Sequence, residues 1–551
     1  MHVFSRAAMA VLATGLIPAA AMAAPTASFD YVSYEGEEVE TAAGEFANPV
    51  VPGFHPDPSI VKVGDDFYLT NSTFSWYPGL PIMHSRDLVN WTQIGNAIDR
   101  PGMVDLSQTT LTGDGLYAPA ITWHDGTFYL LNTCVRCDGN FVITATDPAG
   151  PWSDPVILEF GGIDPSLYVD EDGRGWITYN DAPVGEPRYD GHRAIWIREF
   201  DIGTMKLVGQ PKLLVDGGVV KEDNPVWAEG PHIYKVDGWY YLLAAEGGTA
   251  DQHSQTIYRS RSVDGPYEAG PVNPILTQRN MDMNRPDRVE ATGHADFVQL
   301  DDGSWWAVFL ATRPFDQQNT LLGRETFMLP VTWKDGWPII LEKGETVPMT
   351  LPRPALAPAE GMDFTAWRDD FDAAELGPEW LRIRGAPDVQ NVMLGDGRLH
   401  LIPDAQSIAR REMPAFVGRR LRQHEASFTT AVEFAPSAAG DFAGLAAVAS
   451  EQAFMTFGLT GTANGPVLAL TSRDSDTGPA NGQTLASTPF SGGNVELRVS
   501  FDEGTADFSW RNAGRGNWTT LAEDVDVTHL ASVNSNLFTG VVVGPYAVSG
   551  N

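Results

Sequence analysis

The chain has 551 residues, 43% hydrophobic and 10% aromatic, with 55 Gly and 39 Pro. That is too much apolar mass for a disordered protein and enough for two domains or three. Lys and Arg number 36 against 71 Asp and Glu, a net charge of −35 that makes nucleic acid and anionic membranes poor partners.

Residues 1–23 read as a secretory signal peptide: a short leader with Arg6 and no acid, an apolar stretch from Ala7 to Ala20, and small residues in Ala21-Met22-Ala23. The stretch is short for a membrane span and carries Gly15 and Pro18, so the mature protein is expected to be secreted or periplasmic. Residues 24–47 form an N-terminal segment. Further on, Cys134 and Cys137 make a C-x-x-C that could close a small disulfide in an oxidising compartment. A redox or zinc role is disfavoured, because neither a βαβ pattern nor a second ligand pair accompanies it.

A turn followed by an aromatic strand recurs five times, at Asp65, Asp125, Asp172, Asp237 and Asp302, with 47 to 65 residues between repeats. Asp125-Gly126, Asp172-Gly173, Asp237-Gly238 and Asp302-Gly303 are hairpin signals, and each turn joins two alternating apolar strands. Segments such as Met83 to Trp91, Ile143 to Trp152 and Ile257 to Tyr267 look like outer strands of the same units. The expectation is a five-bladed β-propeller over 48–350, within an all-β protein.

The eighth residue before each turn Asp is Asp57, Tyr117, Asp164, Glu229 and His294. The first strand of every blade lines the central channel, so these five should form a ring at one depth. Three carboxylates brought together in a channel repel and desolvate one another, which is destabilising unless a ligand or a reaction uses them. Cleavage of a glycosidic bond does: one carboxylic acid protonates the leaving oxygen and a second carboxylate acts at the anomeric centre. The third can keep the acid protonated by like-charge repulsion. Asp, Glu and His are also metal ligands, but the spacings show no local ligand cluster. Glu246 is an alternative acid, seventeen residues after Glu229 and across the hairpin.

The segment 351–363, rich in Pro and Ala from Pro352 to Gly361, reads as a linker. After it, over 364–551, short alternating runs such as Ser427 to Phe434 and Val495 to Phe501 suggest a β-sandwich. That half shows no catalytic cluster. It is expected to support the first domain, with an independent carbohydrate-binding module as the alternative.

The stretches Asn48-Pro49-Val50, Gly53 to Ile60, Asn71 to Gly79, Ala228-Glu229-Gly230-Pro231-His232 and Ala245 to Thr249 resemble glycoside hydrolase family 43, above all its β-xylosidase and α-L-arabinofuranosidase members. The resemblance implies that Asp57 is the general base, Asp164 the aspartate that orients and tunes the acid, and Glu229 the general acid. It also implies inversion of configuration, with room for a water between Asp57 and Glu229, and a concanavalin-like sandwich behind the propeller. Among substrate contacts it implies Phe74 as an apolar wall, Tyr117 where many β-xylosidases carry Trp, Thr249 near the pocket, and Arg313 on sugar hydroxyls. His294 joins this substrate set by its place in the ring. His253 matches a motif of uncertain role, and Trp76 is either a second aromatic platform or core.

The implied activity is exo release of xylose from xylo-oligosaccharides, with arabinose release from arabinosyl-substituted glycans as an additional or main activity. No cofactor is required, although His294 could touch a calcium ion in the channel. A sugar-binding propeller without turnover is the alternative class. The retaining fructan-cleaving enzymes are disfavoured, since their Asn-Asp-Pro-Asn-Gly segment is absent.

Overall fold

The computed structural model describes residues 26–550, except 386–390, 476–478, 491–492 and 533–537. The expected signal peptide lies outside the described residues. Nearly all regular structure is β-strand, in the two domains the repeats and the linker foretell.

The turn chemistry accounts for the blades. Asp125 and Gly126 have φ of 47° and 80°, and Asp237 and Gly238 have 50° and 73°, the paired left-handed conformation that lets a two-residue turn follow the strand twist. Each turn joins the innermost strand of a blade to the second: Ser59–Val63, Ala120–His124, Ile163–Val169, Glu229–Val236 and Glu290–Gln299 are the five innermost strands. Each packs against the innermost strand of the next blade, and the fifth returns to the first. The runs read as outer strands fall at Gly79–Ser85, Gly139–Ala145 and Ser254–Ser260, third in their blades rather than outermost. A fourth strand, as short as Val156–Ile157, lies outside them.

The ring closes through residues just before the first blade. Glu45–Ala47 pairs with Thr350–Pro352, and the Asn48 side chain exchanges two hydrogen bonds with the Met328 backbone (2.9 and 3.0 Å). The linker is docked rather than free. Asp87 accepts from Arg353 (2.6 Å) and from the Ala359 amide (2.8 Å), and the Met362 amide donates to the Trp91 carbonyl at 3.0 Å.

Behind the propeller stand an eight-stranded and a seven-stranded antiparallel sheet. The eight-stranded sheet includes Ala27–Gly36 between Arg398–Leu401 and Glu425–Glu433. The N-terminal segment is therefore a strand of the distant sandwich, with Ala27, Phe29, Val32 and Tyr34 in its core. A separate apolar core joins the domains, uniting Phe54, Phe74, Trp76 and Leu111 of the propeller with Leu381, Ile383, Phe416 and Tyr546 of the sandwich. Trp76 is fully buried there, so it is core and not a sugar platform. Arg384 and Arg420 cross the same boundary, donating to the Thr109 and Phe54 carbonyls, both at 2.7 Å. Cys134 and Cys137 are joined in a disulfide at the end of a hairpin of the second blade.

Candidate active site

All five residues of the predicted ring line one cavity of about 470 Å³ at the mouth of the propeller channel, together with Phe74, Thr249, His253, Trp227, Arg324 and Phe538. A backbone device places them. Asp57, Asp164 and His294 have left-handed φ of 51°, 56° and 51°, and Gly230, beside Glu229, has 56°. In the third, fourth and fifth blades strand pairing slips at this point, between Ile163 and Ser166, Glu229 and His232, and Gly293 and Asp296. Such bulges re-aim side chains, here into the channel, and a left-handed non-glycine residue stores strain of the kind found at active sites. At Gly230 a Cβ would come 2.7 Å from the His294 ring, so only glycine lets the fourth and fifth blades approach.

The three carboxylates are buried in different surroundings. Burial alone would raise the Asp57 carboxyl. Arg324 (3.5 Å), His294 (3.4 Å) and the Ser72 hydroxyl, which donates at 2.5 Å, outweigh burial and hold it below the ordinary carboxylate range. Asp164 accepts from the Gly230 amide (3.1 Å) and the Asn180 side chain (3.2 Å). Burial and the Asp57 charge nevertheless leave it above the ordinary range, against the opposing pull of His294. Glu229 is pushed far above its ordinary value, first by burial and then by the charges of Asp164 and Asp57. The site therefore sets one carboxyl low and another far up in a single cavity, the opposite tuning that acid–base cleavage requires.

The walls are aromatic. Phe74 packs edge-on against Tyr117 (5.4 Å between centroids) and stacks on Phe538 (5.5 Å). The Tyr117 hydroxyl donates to the Gly113 carbonyl, and burial pushes its pKa up to about 12, so it stays a neutral phenol. Phe538 comes from the sandwich. Sequence offered no repeat or motif to place it, because the wall it completes belongs to another domain. Burial lowers the His253 pKa to about 4, so this ring is neutral, and its Nδ1 lies 2.9 Å from the Ala291 carbonyl.

Two residues fall elsewhere. Arg313 does not line the cavity: its guanidinium makes a two-pronged pair with Glu325 (2.7 and 2.9 Å) and donates to the Arg422 carbonyl at 3.2 Å. Arg324, eleven residues on, is the arginine of the site: Arg313 follows the strand Trp305–Thr312 and Arg324 precedes the strand Glu325–Lys334, and no sequence motif marked the second. Glu325 is fully buried, so Arg313→Met is expected to cost roughly 3–5 kcal/mol of stability by stranding a charge. Thermal unfolding should show that loss while KM stays unchanged; a raised KM in a stable variant would return Arg313 to the sugar contacts. Glu246 also lies outside the cavity and holds a loop instead, its carboxylate accepting from the Val219 amide at 2.9 Å. Among the described residues no group of three or more His, Cys, Asp or Glu side chains is placed to hold a metal ion. The His294 Nδ1 lies 3.4 Å from the Asp57 carboxylate.

A carboxyl held low and a carboxyl pushed far up, both buried in one aromatic-walled cavity, are the groups a glycosidase needs. Residues 46–338 match Glycosyl hydrolases family 43, and residues 368–551 match the Beta xylosidase C-terminal Concanavalin A-like domain. The chain belongs to glycoside hydrolase family 43. It is 38% identical over 519 residues to a non-reducing end alpha-L-arabinofuranosidase of Bacteroides ovatus, covering 93% of each chain. It is 35% identical over 519 residues to a xylosidase/arabinosidase of Butyrivibrio fibrisolvens, covering 91% of this chain and 95% of that one. Among solved structures it superposes on a GH43_12 protein retrieved from capybara gut metagenome with a TM-score of 0.86 and 34% identity, covering 95% of this chain and all of the other. A xylan beta-1,4-xylosidase from Bacillus halodurans gives a TM-score of 0.80 at 33% identity, covering 91% and 96%.

Proposed function

We propose that the protein is an exported, exo-acting, inverting glycosidase that releases single pentoses, xylose from β-1,4-xylo-oligosaccharides or arabinose from side chains. The observation that carries this reading is the opposite tuning of Asp57 and Glu229 in one aromatic-walled cavity. Asp57 takes the proton of a water as it attacks the anomeric carbon, and Glu229 gives its proton to the departing glycosidic oxygen. Asp164 raises the acid by charge and, through the Gly230 amide, fixes the backbone next to it. The neutral, aromatic wall of Phe74, Tyr117 and Phe538 faces the apolar face of a sugar ring. Export is supported by the leader in residues 1–23 and by the Cys134–Cys137 disulfide.

Initial rates on an aryl β-D-xylopyranoside and an aryl α-L-arabinofuranoside test the reading. Preference for one names the main activity, comparable rates make the pocket bifunctional, and no release from either leaves a sugar-binding propeller.

The pH dependence follows from the two shifts. Activity needs Asp57 ionised and Glu229 protonated, so kcat/KM rises as pH climbs through the lowered Asp57 pKa and falls as it passes the raised Glu229 pKa. Asp164→Asn removes a negative neighbour from Glu229, so the alkaline limb should move to lower pH while the acid limb moves little. An unmoved alkaline limb would remove Asp164 from the tuning role.

A further inference from the structure

Trp227 lines the cavity two residues before Glu229. It combines two features that folding alone disfavours: the indole is 40% exposed, and the backbone is left-handed, with φ of 54°. Both are held in place. The Trp227 amide donates to the Gly191 carbonyl at 2.8 Å, and the Val226 carbonyl accepts from the Gly247 amide at 2.9 Å, so loops of the third and fourth blades clamp this dipeptide from two sides. Arg193 lies over the indole, 5.4 Å from its centroid, and is itself fixed by the Asn180 side chain (3.0 and 3.2 Å), the same Asn180 that donates to Asp164. An aromatic ring fixed on a clamped loop keeps its exposed surface in one orientation, which a core residue has no need to do.

We propose that Trp227 is the platform for the leaving-group sugar and so selects substrates in which the pentose is attached to another sugar ring. The argument rests on the glycosidase reading and on position. Glu229 must touch the glycosidic oxygen, the atom shared by the two sugars. The pentose to be released lies against the wall of Phe74, Tyr117 and Phe538, where Phe74 is 2% exposed. The solvent-exposed indole on the stretch entering the acid therefore meets what departs. A sugar ring lays its C–H face on an indole, and the guanidinium on the same indole supplies N–H donors for hydroxyls at the rim.

The test compares a disaccharide of the preferred pentose with the corresponding pentosyl fluoride, whose leaving group is a single atom. Trp227→Gly is the main variant, because glycine accepts the left-handed backbone without strain, and Trp227→Tyr restores an aromatic ring. Trp227→Gly should raise KM for the disaccharide by roughly tenfold, near the upper end of what an aromatic contact contributes. Its kinetics on the fluoride should fall far less, and Trp227→Tyr should recover most of the disaccharide affinity. Equal losses on both substrates make Trp227 a structural residue and overturn the proposal, as does an unchanged KM on the disaccharide. If the wild-type protein hydrolyses neither substrate, the glycosidase reading itself fails.

Discussion

Glu229→Gln is expected to lower kcat/KM on oligosaccharides by about 10²–10⁴, the range a general acid contributes, because their leaving alkoxide cannot depart without a proton. On an aryl glycoside with a nitrophenolate leaving group, which departs unaided, the loss should be far smaller. Gln has the shape of the protonated Glu229 side chain and is neutral like it, so the substitution leaves the charge balance with Asp164 and Asp57 as it was. The melting temperature should accordingly hold. Near-normal turnover of xylo-oligosaccharides by this variant would sink the assignment of the acid.

Asp57→Asn should fail differently. Water must be activated whatever leaves, so a loss of about 10²–10⁴ should appear equally on oligosaccharides and on activated aryl glycosides. Stability should fall as well. The Arg324 side chain is 96% buried and its ion-pair partner is Asp57, so a neutral amide leaves an uncompensated buried charge, at a cost of about 3 kcal/mol. Paired measurements of rate and melting temperature on the two variants thus separate base from acid. A loss at Asp57 that depended on the leaving group would reverse the roles.

The contrast between the two carboxylates also shows how the fold supports the chemistry. Bulges in three of the blades turn the ring inward, and neighbours from different blades then set each charge. Arg324 and His294 of the fifth blade hold the Asp57 carboxyl of the first low, while burial and the charge of Asp164 of the third blade push the Glu229 carboxyl of the fourth up. The ring is thus tuned between blades, and the sandwich adds Phe538 to the wall while sharing a core with Phe74.

The propeller was legible because its signals are local. An Asp-Gly turn with an apolar strand on each side declares a hairpin wherever it occurs, and repetition at one offset exposed Asp57, Tyr117, Asp164, Glu229 and His294 together. What stayed hidden depended on pairing across the chain. Ala27–Gly36 alternates buried and half-exposed residues as a strand should, but its partners lie some 400 residues away, and no local pattern names them. Arg313 and Arg324 flank the two ends of one loop of the fifth blade, and only the buried partner, Glu325 for one and Asp57 for the other, assigns their tasks. Trp227 showed no repeat or periodicity, because its significance lies in a left-handed backbone and a stacked Arg193.

The most direct test of the central claim, that Asp57 activates a water opposite the acid Glu229, is the anomeric configuration of the first sugar released, followed by proton NMR before mutarotation. With an aryl β-D-xylopyranoside, α-xylose should appear first and β-xylose only as the anomers equilibrate. β-Xylose as the initial product would mean retention, would make one of the ring carboxylates a nucleophile, and would contradict the account given of Asp57.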